Sequence, residues 1–302
     1  MDMSGEQTSG TTAEVGSGTL AVVIPAFRAK ATIESAVSSA FASGATEVIV
    51  VDDGSDDGTD VVAEKAGAVC IRQENAGAAQ ARTKGARSVT AEYIVFLDAD
   101  DQLIPDGVKR SLEVMTGDSQ LAVAAGTVVG LTTQGEERPF PIRFSPVTTE
   151  SLLKVGHGPW PPCAAVVRRS SYEASQNIQP AALKPRFAED YEMLIRLSMV
   201  GGIDVRSDPT CRYSLAGGKS VVSAIDAIEA KEDIRRHYAS HLGLEIEEMT
   251  QNDREMAALV RVARAHWSSG RRIDAARTIF AWILKNPAAA LKKLKGRPWK
   301  RN

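Results

Sequence analysis

Between Leu20 and Leu97 the chain repeats one unit: a short apolar run, an Asp- or Gly-rich turn, then a stretch with helical spacing. The runs LAVVIPAF, EVIVVDD, AVCIR and EYIVFLDADD read as strands. AKATIESAVSSAFAS, DGTDVVAEKAG and GAAQARTKGARSV, between them, read as helices. A continuous Val/Ile/Leu strand is covered on both faces, and a helix between successive strands supplies the crossover that a parallel pair requires. The expected class is therefore α/β: a mainly parallel sheet flanked by helices, Rossmann-like in its first half. Because the polar turns follow the strands, they gather at the carboxyl edge, where open α/β sheets bind ligands.

The pattern loosens from Gly126 to Ser223. That stretch holds a Pro/Gly patch (GHGPWPP), a strand (CAAVVRR) and a helix starting near Ala188. Beyond Ala224, apolar positions such as Met256, Leu259, Val260, Val262 and Ala263 recur at helical spacing, and Gly270 suits the turn of a helical hairpin. The expected organisation is a flexible tail over 1–19, a domain over 20–223 whose halves meet near residue 125, and a helical extension over 224–302. The Gly/Ser/Thr-rich tail has neither the basic start nor the apolar centre of a signal peptide.

Bulk properties narrow the partners. A net charge of −2 and a pI near 6.2 argue against nucleic acid, and no apolar run is long enough to span a bilayer. Three widely spaced cysteines, Cys70, Cys163 and Cys211, without a CxxC, fit reduced thiols in a cytoplasm better than disulfides or a zinc site. From Lys285 onward the chain carries seven basic residues and no acid. Such an end is either a solvated helix terminus or a peripheral contact with an anionic membrane surface, where lipid-linked acceptors are found.

Two acidic runs carry the chemistry. In VVDDGSDDGT, Asp53, Ser55, Asp57, Gly58 and Glu64 match EF-hand positions, but a strand rather than a helix precedes them. The remaining readings are a turn in which Asp56 or Asp57 caps the next helix, and a carboxylate at the strand end that accepts from a nucleobase imide. GGKS at 217–220 lacks the first glycine of a phosphate loop, since Tyr213 stands there, and reads as a plain loop. In DADD, Asp98, Asp100 and Asp101 crowd the mouth of an apolar strand. Like charges about 4 Å apart repel by roughly 1 kcal/mol in water and about 4 near a protein surface, so an acidic surface loop competes there with a divalent-ion site. In the second reading Mn²⁺ or Mg²⁺ and a diphosphate-bearing ligand neutralise the cluster together.

VVIPAF, VDDGS, NAGAAQARTKGA, FLDADD and RFAEDYEMLIRL stand in the order and spacing seen in inverting glycosyltransferases of family 2, and the chain resembles that family from about Leu20 to Ser220. The resemblance implies a GT-A fold, a nucleotide-sugar donor, Mn²⁺ or Mg²⁺, and direct displacement at the anomeric carbon. It implies that Pro25, Ala26 and Phe27 line the base pocket, that Asp53 accepts from the uracil imide, and that Arg82 lies near base or diphosphate. Asp98 would hold the ribose or, indirectly, the ion; Asp100 would be the metal ligand, with Asp101 a helper. On the acceptor side, Asp190 would be the general base and Glu189 its neighbour, both in the first turn of a helix whose apolar face is Phe187, Tyr191, Leu194 and Ile195. Acids there also simply suit a helix N-terminus. Trp160 either stacks on the acceptor sugar or packs in the core.

The chain departs from that pattern at several places. Phe27-Arg28 replaces a common Tyr-Asn, Thr83 a common Asn, and Ser214 a loop histidine that ligates metal in many members. None of the four histidines reads as a ligand. The Gln-x-x-Arg-Trp signature of processive members is missing, which points to single-sugar transfer to a saccharide or lipid-linked acceptor. Two other readings are a nucleotide-sugar-binding module without catalysis, favoured by the missing histidine, and a sugar nucleotidyltransferase, which would need a Gly-rich loop where this chain has PAFRAKAT.

Overall fold

A computed structural model describes residues 18–132, 134–215, 223–268 and 270–287. The GGKS loop, most of the N-terminal tail and the basic segment 288–302 lie outside the described residues.

Four strands form where the apolar runs predict them: β1 (Leu20–Ala26), β2 (Glu47–Asp52), β3 (Val69–Arg72) and β4 (Tyr93–Phe96). They alternate with α1 (Ile33–Ala42), α2 (Thr59–Lys65) and α3 (Ala78–Ser88). These strands lie in the order β3-β2-β1-β4 and all pair in parallel. β1 is sealed on both faces: Val22 and Ile24 join Ile33 and Val37 of α1, whereas Ala21 and Val23 join Ala81 and Ala86 of α3. The strand order reverses direction at β1, with β2 on one side and β4 on the other. At such a switch point the crossovers leave to opposite faces and open a crevice at the carboxyl edge. Register places Ala26 beside Asp52 and Val23 beside Phe96, so the turns after β1, β2 and β4 share that edge.

The second half of the sheet is mixed rather than parallel. After β5 (Gln102–Leu103) and α4 (Pro105–Gly117) come β6 (Leu121–Leu131), β7 (Glu137–Phe140), α5 (Thr149–Val155), β8 (Ala165–Arg168), α6 (Arg169–Ser175), α7 (Glu189–Ser198) and β9 (Gly202–Ser214). β8 runs antiparallel between β4 and β6, β9 is parallel to β6, and β5 and β7 pair antiparallel at the margins. β9 is mostly half-exposed and carries Asp204, Arg206, Asp208 and Arg212, which hid it from a search for continuous apolar runs.

Among the described residues three further helices follow: α8 (Ala224–Leu242), α9 (Gln251–Ser268) and α10 (Arg272–Lys285). Ile234, Tyr238 and Ala239 of α8 share a core with Leu152 and Leu153 of α5 and with Tyr191 and Ile195 of α7. Polar contacts fix the docking: Tyr238 Oη donates to Glu192 at 2.9 Å, and Arg235 Nε donates to the Leu153 carbonyl at 2.7 Å. α9 and α10 form the expected hairpin, with Gly270 at φ +77° in its turn. Among the described residues no helix is long and apolar enough to cross a membrane.

Candidate active site

The switch-point edge is built first by hydrogen bonds from the acidic run after β2. Ser55 Oγ accepts from the Arg28 amide at 2.8 Å, Thr59 Oγ1 from the Ala29 amide at 2.9 Å, and Asp57 Oδ2 from the Lys30 amide at 3.2 Å. Asp57 Oδ1 also accepts from the Thr59 amide at 3.0 Å, where α2 begins. The run thus braces the turn after β1; Gly58, at φ +83°, is the N-cap residue of α2, with Asp57 just before it. Ala26 is buried and Pro25 and Phe27 are half-buried at this edge; the Arg28 guanidinium sits 5.3 Å from the Phe27 ring centroid.

Asp53 is more fully occupied than the sequence suggests. It is 4% exposed and accepts from Gln73 Nε2 at 2.8 Å, the Ala76 amide at 2.7 Å and the Gly77 amide at 2.9 Å. A carboxylate offers about four acceptor positions, so three hold the segment leading into α3 and one remains for a ligand.

The three carboxylates after β4 take three different environments. Asp98 Oδ1 accepts from Arg82 Nη2 at 2.7 Å. Arg82 rises from the inner face of α3, a face otherwise made of Ala81, Gly85 and Ala86, and its Nη1 donates to Glu189 Oε1 at 2.9 Å. Burial works against the guanidinium's charge, but Asp98 and Glu189 outweigh it and raise its pKa. Burial likewise pushes Glu189 up, opposed by Arg82 and reinforced by Asp190. Arg82 is therefore engaged by two protein carboxylates.

Asp101 turns inward. It is 1% exposed, its Oδ1 accepts from the Ser214 amide at 2.8 Å, and burial lifts its pKa to about 8. At neutral pH it is mostly the uncharged acid. Asp101, Cys163 and Cys211 approach within 4.8 Å of one another in the core, a convergence with no local signature in the sequence. All three cysteines are free thiols, and burial raises the pKa of each. Asp100 alone faces outward. Partial desolvation first, then the Asp98 charge, raises its pKa, and the nearby Ser214 side chain works the other way. Protein groups thus relieve part of the crowding of DADD: Arg82 pairs with Asp98, and burial favours the uncharged acid at Asp101.

Asp190 occupies the first turn of α7, after Ala188 at φ +63°, and its Oδ1 accepts from the Tyr191 amide at 2.8 Å. It opens onto a cleft of about 220 Å³ walled by Phe96, Val128, Phe140, Ile142, Trp160 and Leu194. Trp160 both lines this cleft and packs against the surrounding cores, combining its two expected roles. Arg143, His157 and Lys231 line it as well; none was expected from the sequence. Burial pushes the His157 pKa down, and Arg143 and Lys231 push it further.

The arrangement is thus a parallel α/β half whose switch-point edge lies beside an acid-bearing cleft. The profile described as Glycosyl transferase family 2 matches residues 21–174, a little over half of the chain, and the chain belongs to that family. Among curated relatives, TuaG of Bacillus subtilis, named for teichuronic acid biosynthesis, is 34% identical over 32% of this chain and 41% of its own length. YibD, an uncharacterized glycosyltransferase of Escherichia coli, is 32% identical over 35% of this chain and 32% of its own length. The matches thus span well under two thirds of the relatives. Among solved structures, S. aureus TarS 1-349 with UDP-GlcNAc is similar at TM-score 0.55 and 18% identity, over 86% of this chain and 89% of that one. Glucosyl-3-phosphoglycerate synthase of Mycobacterium tuberculosis, solved with Mn²⁺, UDP-glucose and phosphoglyceric acid, is similar at TM-score 0.50 and 19% identity, over 80% and 86%. These likenesses show the GT-A fold.

Proposed function

We propose that the chain is a metal-dependent, inverting glycosyltransferase that moves one sugar from a nucleoside-diphosphate donor, UDP-linked, to an acceptor hydroxyl in cell-surface polysaccharide or glycolipid assembly. One observation carries the reading: Arg82 ties Asp98 of the donor edge to Glu189 in the first turn of α7, which sets Asp190 at the mouth of a cleft beside that edge. Family membership and neighbours solved with UDP-sugars support the donor class.

Pro25, Ala26 and Phe27 would contact the base through apolar packing, and the fourth acceptor position of Asp53 suits an imide N–H. Asp100, with Asp98 beside it, fits Mn²⁺ or Mg²⁺: both are hard oxygen donors, and the partial desolvation that, with the Asp98 charge second, raises the Asp100 pKa disfavours a bare carboxylate that a cation would stabilise. Ser214, standing where many members have histidine, lies close enough to Asp100 to lower its pKa. The ion, when bound, stabilises charge on a departing diphosphate. Asp190 takes the proton from the acceptor hydroxyl as its oxygen bonds to the anomeric carbon and the carbon–oxygen bond to the diphosphate breaks, inverting the centre. Trp160 offers an aromatic wall to the acceptor sugar.

We place this activity at the cytoplasmic face of a membrane, held there peripherally. On α10, Ala275 and Trp282 are buried, while Ile273 (69% exposed), Phe280 (61%) and Leu284 (67%) face solvent among Arg272, Arg277 and Lys285. A helix with one exposed apolar face and basic flanks suits an anionic bilayer surface.

Released nucleoside diphosphate, measured across a panel of nucleotide sugars with Mn²⁺, tests the proposal. Asp190→Asn should retain Mn²⁺-dependent thermal stabilisation by UDP and lose transfer. Transfer that survives in this variant would remove Asp190 as the base; no stabilisation by UDP, GDP, TDP or CDP would remove the donor site and the enzyme with it.

A further inference from the structure

Buried cations elsewhere in the molecule have anionic or carbonyl partners. Arg82 binds two carboxylates, Arg196 donates to the carbonyls of Ser175, Pro180 and Ile178, and Arg235 pairs with Glu232. The cleft beside Asp190 differs. Lys231, half-buried on α8, and Arg143, exposed at its rim, both line it, and neither has a salt-bridge partner among the described residues. The Lys231 ammonium lies 5.9 Å from the Tyr191 ring centroid, a cation–π contact that offsets only part of the desolvation. Burial lowers its pKa, the Asp190 charge opposes that, and the charges of Arg261 and Arg143 lower it again. Among the described residues Asp190 is the one acid of the cleft lining, against Arg143, Lys231 and His157, and the rest is largely apolar. Like charges brought together beside apolar walls are unfavourable unless an anion joins them, and in such surroundings that attraction is strong.

We infer that the acceptor is anionic: it carries a phosphate or carboxylate group that Lys231 and Arg143 hold in this cleft while its hydroxyl meets Asp190. This rests on the glycosyltransferase reading only in calling the cleft the acceptor side. Lys231 comes from α8, beyond residues 21–174. The buried contacts of α8 with α5 and α7 thereby acquire a functional consequence, since they hold Lys231 at the cleft wall.

The test uses the full chain saturated with UDP and Mg²⁺, so that the donor side is filled, and repeats each titration without UDP. Methyl glucoside 6-phosphate, methyl glucuronide and neutral methyl glucoside are titrated by calorimetry or ligand-observed NMR. At least one anionic probe should bind about tenfold or more tightly than the neutral one, the equivalent of one charge-assisted contact, and the two anionic arms separate phosphate from carboxylate. Lys231→Met should abolish the preference, Arg143→Gln should weaken it, and Lys231→Arg should restore it, with UDP affinity unchanged in all three as the check on folding. Equal binding of the three probes, no binding of any, or a preference that survives Lys231→Met overturns the inference. Failure of UDP to bind while the anion preference persists would instead count against the donor site alone.

Discussion

Replacing Arg82 with Met should cost stability in a pH-dependent way. The guanidinium makes two charge-assisted bonds, 2.7 Å to Asp98 and 2.9 Å to Glu189, from a residue that is 8% exposed. Methionine keeps the apolar stem against α3 but leaves two carboxylates facing each other with Asp190 close by. Breaking a fully buried ion pair from one side costs about 3–5 kcal/mol. Here the Asp98 side chain is 39% and that of Glu189 25% exposed, so water screens part of the loss and about 2–3 kcal/mol is expected. The sign with pH follows from Glu189. Its pKa is already raised by burial and held back by Arg82, so without Arg82 it rises further. As pH falls, Glu189 takes up a proton, the repulsion fades, and the gap between variant and wild type narrows. Urea unfolding of chelated protein at pH 7.5 and pH 5, with UDP affinity measured alongside, reads both quantities. A loss below about 1 kcal/mol, the range of an exposed pair, or a gap that stays constant with pH, would refute the bridging role. A large loss of UDP affinity at unchanged stability would return Arg82 to the diphosphate.

Asp101 supplies a second pH signature. Its folded pKa, about 8, lies above the ordinary 3.8, so its contribution to stability is present below the unfolded value and is lost as pH rises through the folded one. Between pH 6 and pH 9 the wild type should lose about 2–3 kcal/mol from this group, and Asp101→Asn should flatten that slope in chelated protein; an unchanged slope would mean that Asp101 is ionised in the fold. Gly85→Ala should destabilise despite the better helix former, because an added Cβ meets Val23 Cγ1 of β1. Overpacking costs typically about 1–3 kcal/mol against roughly 1 recovered in helix propensity, and a rise in Tm would show that α3 can lift off the sheet. Phe280→Glu with Leu284→Glu should leave Tm within a degree or so of wild type, as exposed substitutions do, while reducing co-sedimentation with anionic vesicles; equal co-sedimentation would remove α10 as the membrane-facing element.

What was legible in the sequence follows from how local each cause is. β1 to β4 show themselves because burial on both faces demands continuous apolar residues, and the hairpin of α9 and α10 because its periodicity runs unbroken to a glycine. β9 stayed hidden, since a half-exposed strand tolerates Asp204, Arg206 and Arg212. The positions of Asp53, Asp98, Asp100 and Asp190 could be named from motifs, but not what neutralises them. A usable signal existed for Arg82: a cation within a helix face otherwise made of Ala81, Gly85 and Ala86 must find anions in the interior. No comparable signal marks Lys231, on a helix far along the chain from the motifs, or the meeting of Cys163 and Cys211 with Asp101.

The acidic run itself shows why charge patterning alone misleads about a binding site. Three carboxylates in four positions invite an external cation as the cure, yet the fold treats each one separately: Asp98 by an internal arginine, Asp101 by burial as the neutral acid, and Asp100 by exposure. Only the last is left with an incompletely balanced charge, and it shares Ser214 with its inward-turned neighbour. On the proposed function, a divalent ion at this edge would meet Asp100 and an Asp98 already shared with Arg82, so protein ligands would be few and the diphosphate would supply much of the remaining coordination. Metal affinity should then depend strongly on bound nucleotide, weak without UDP and much tighter with it, because the second set of oxygens arrives with the ligand.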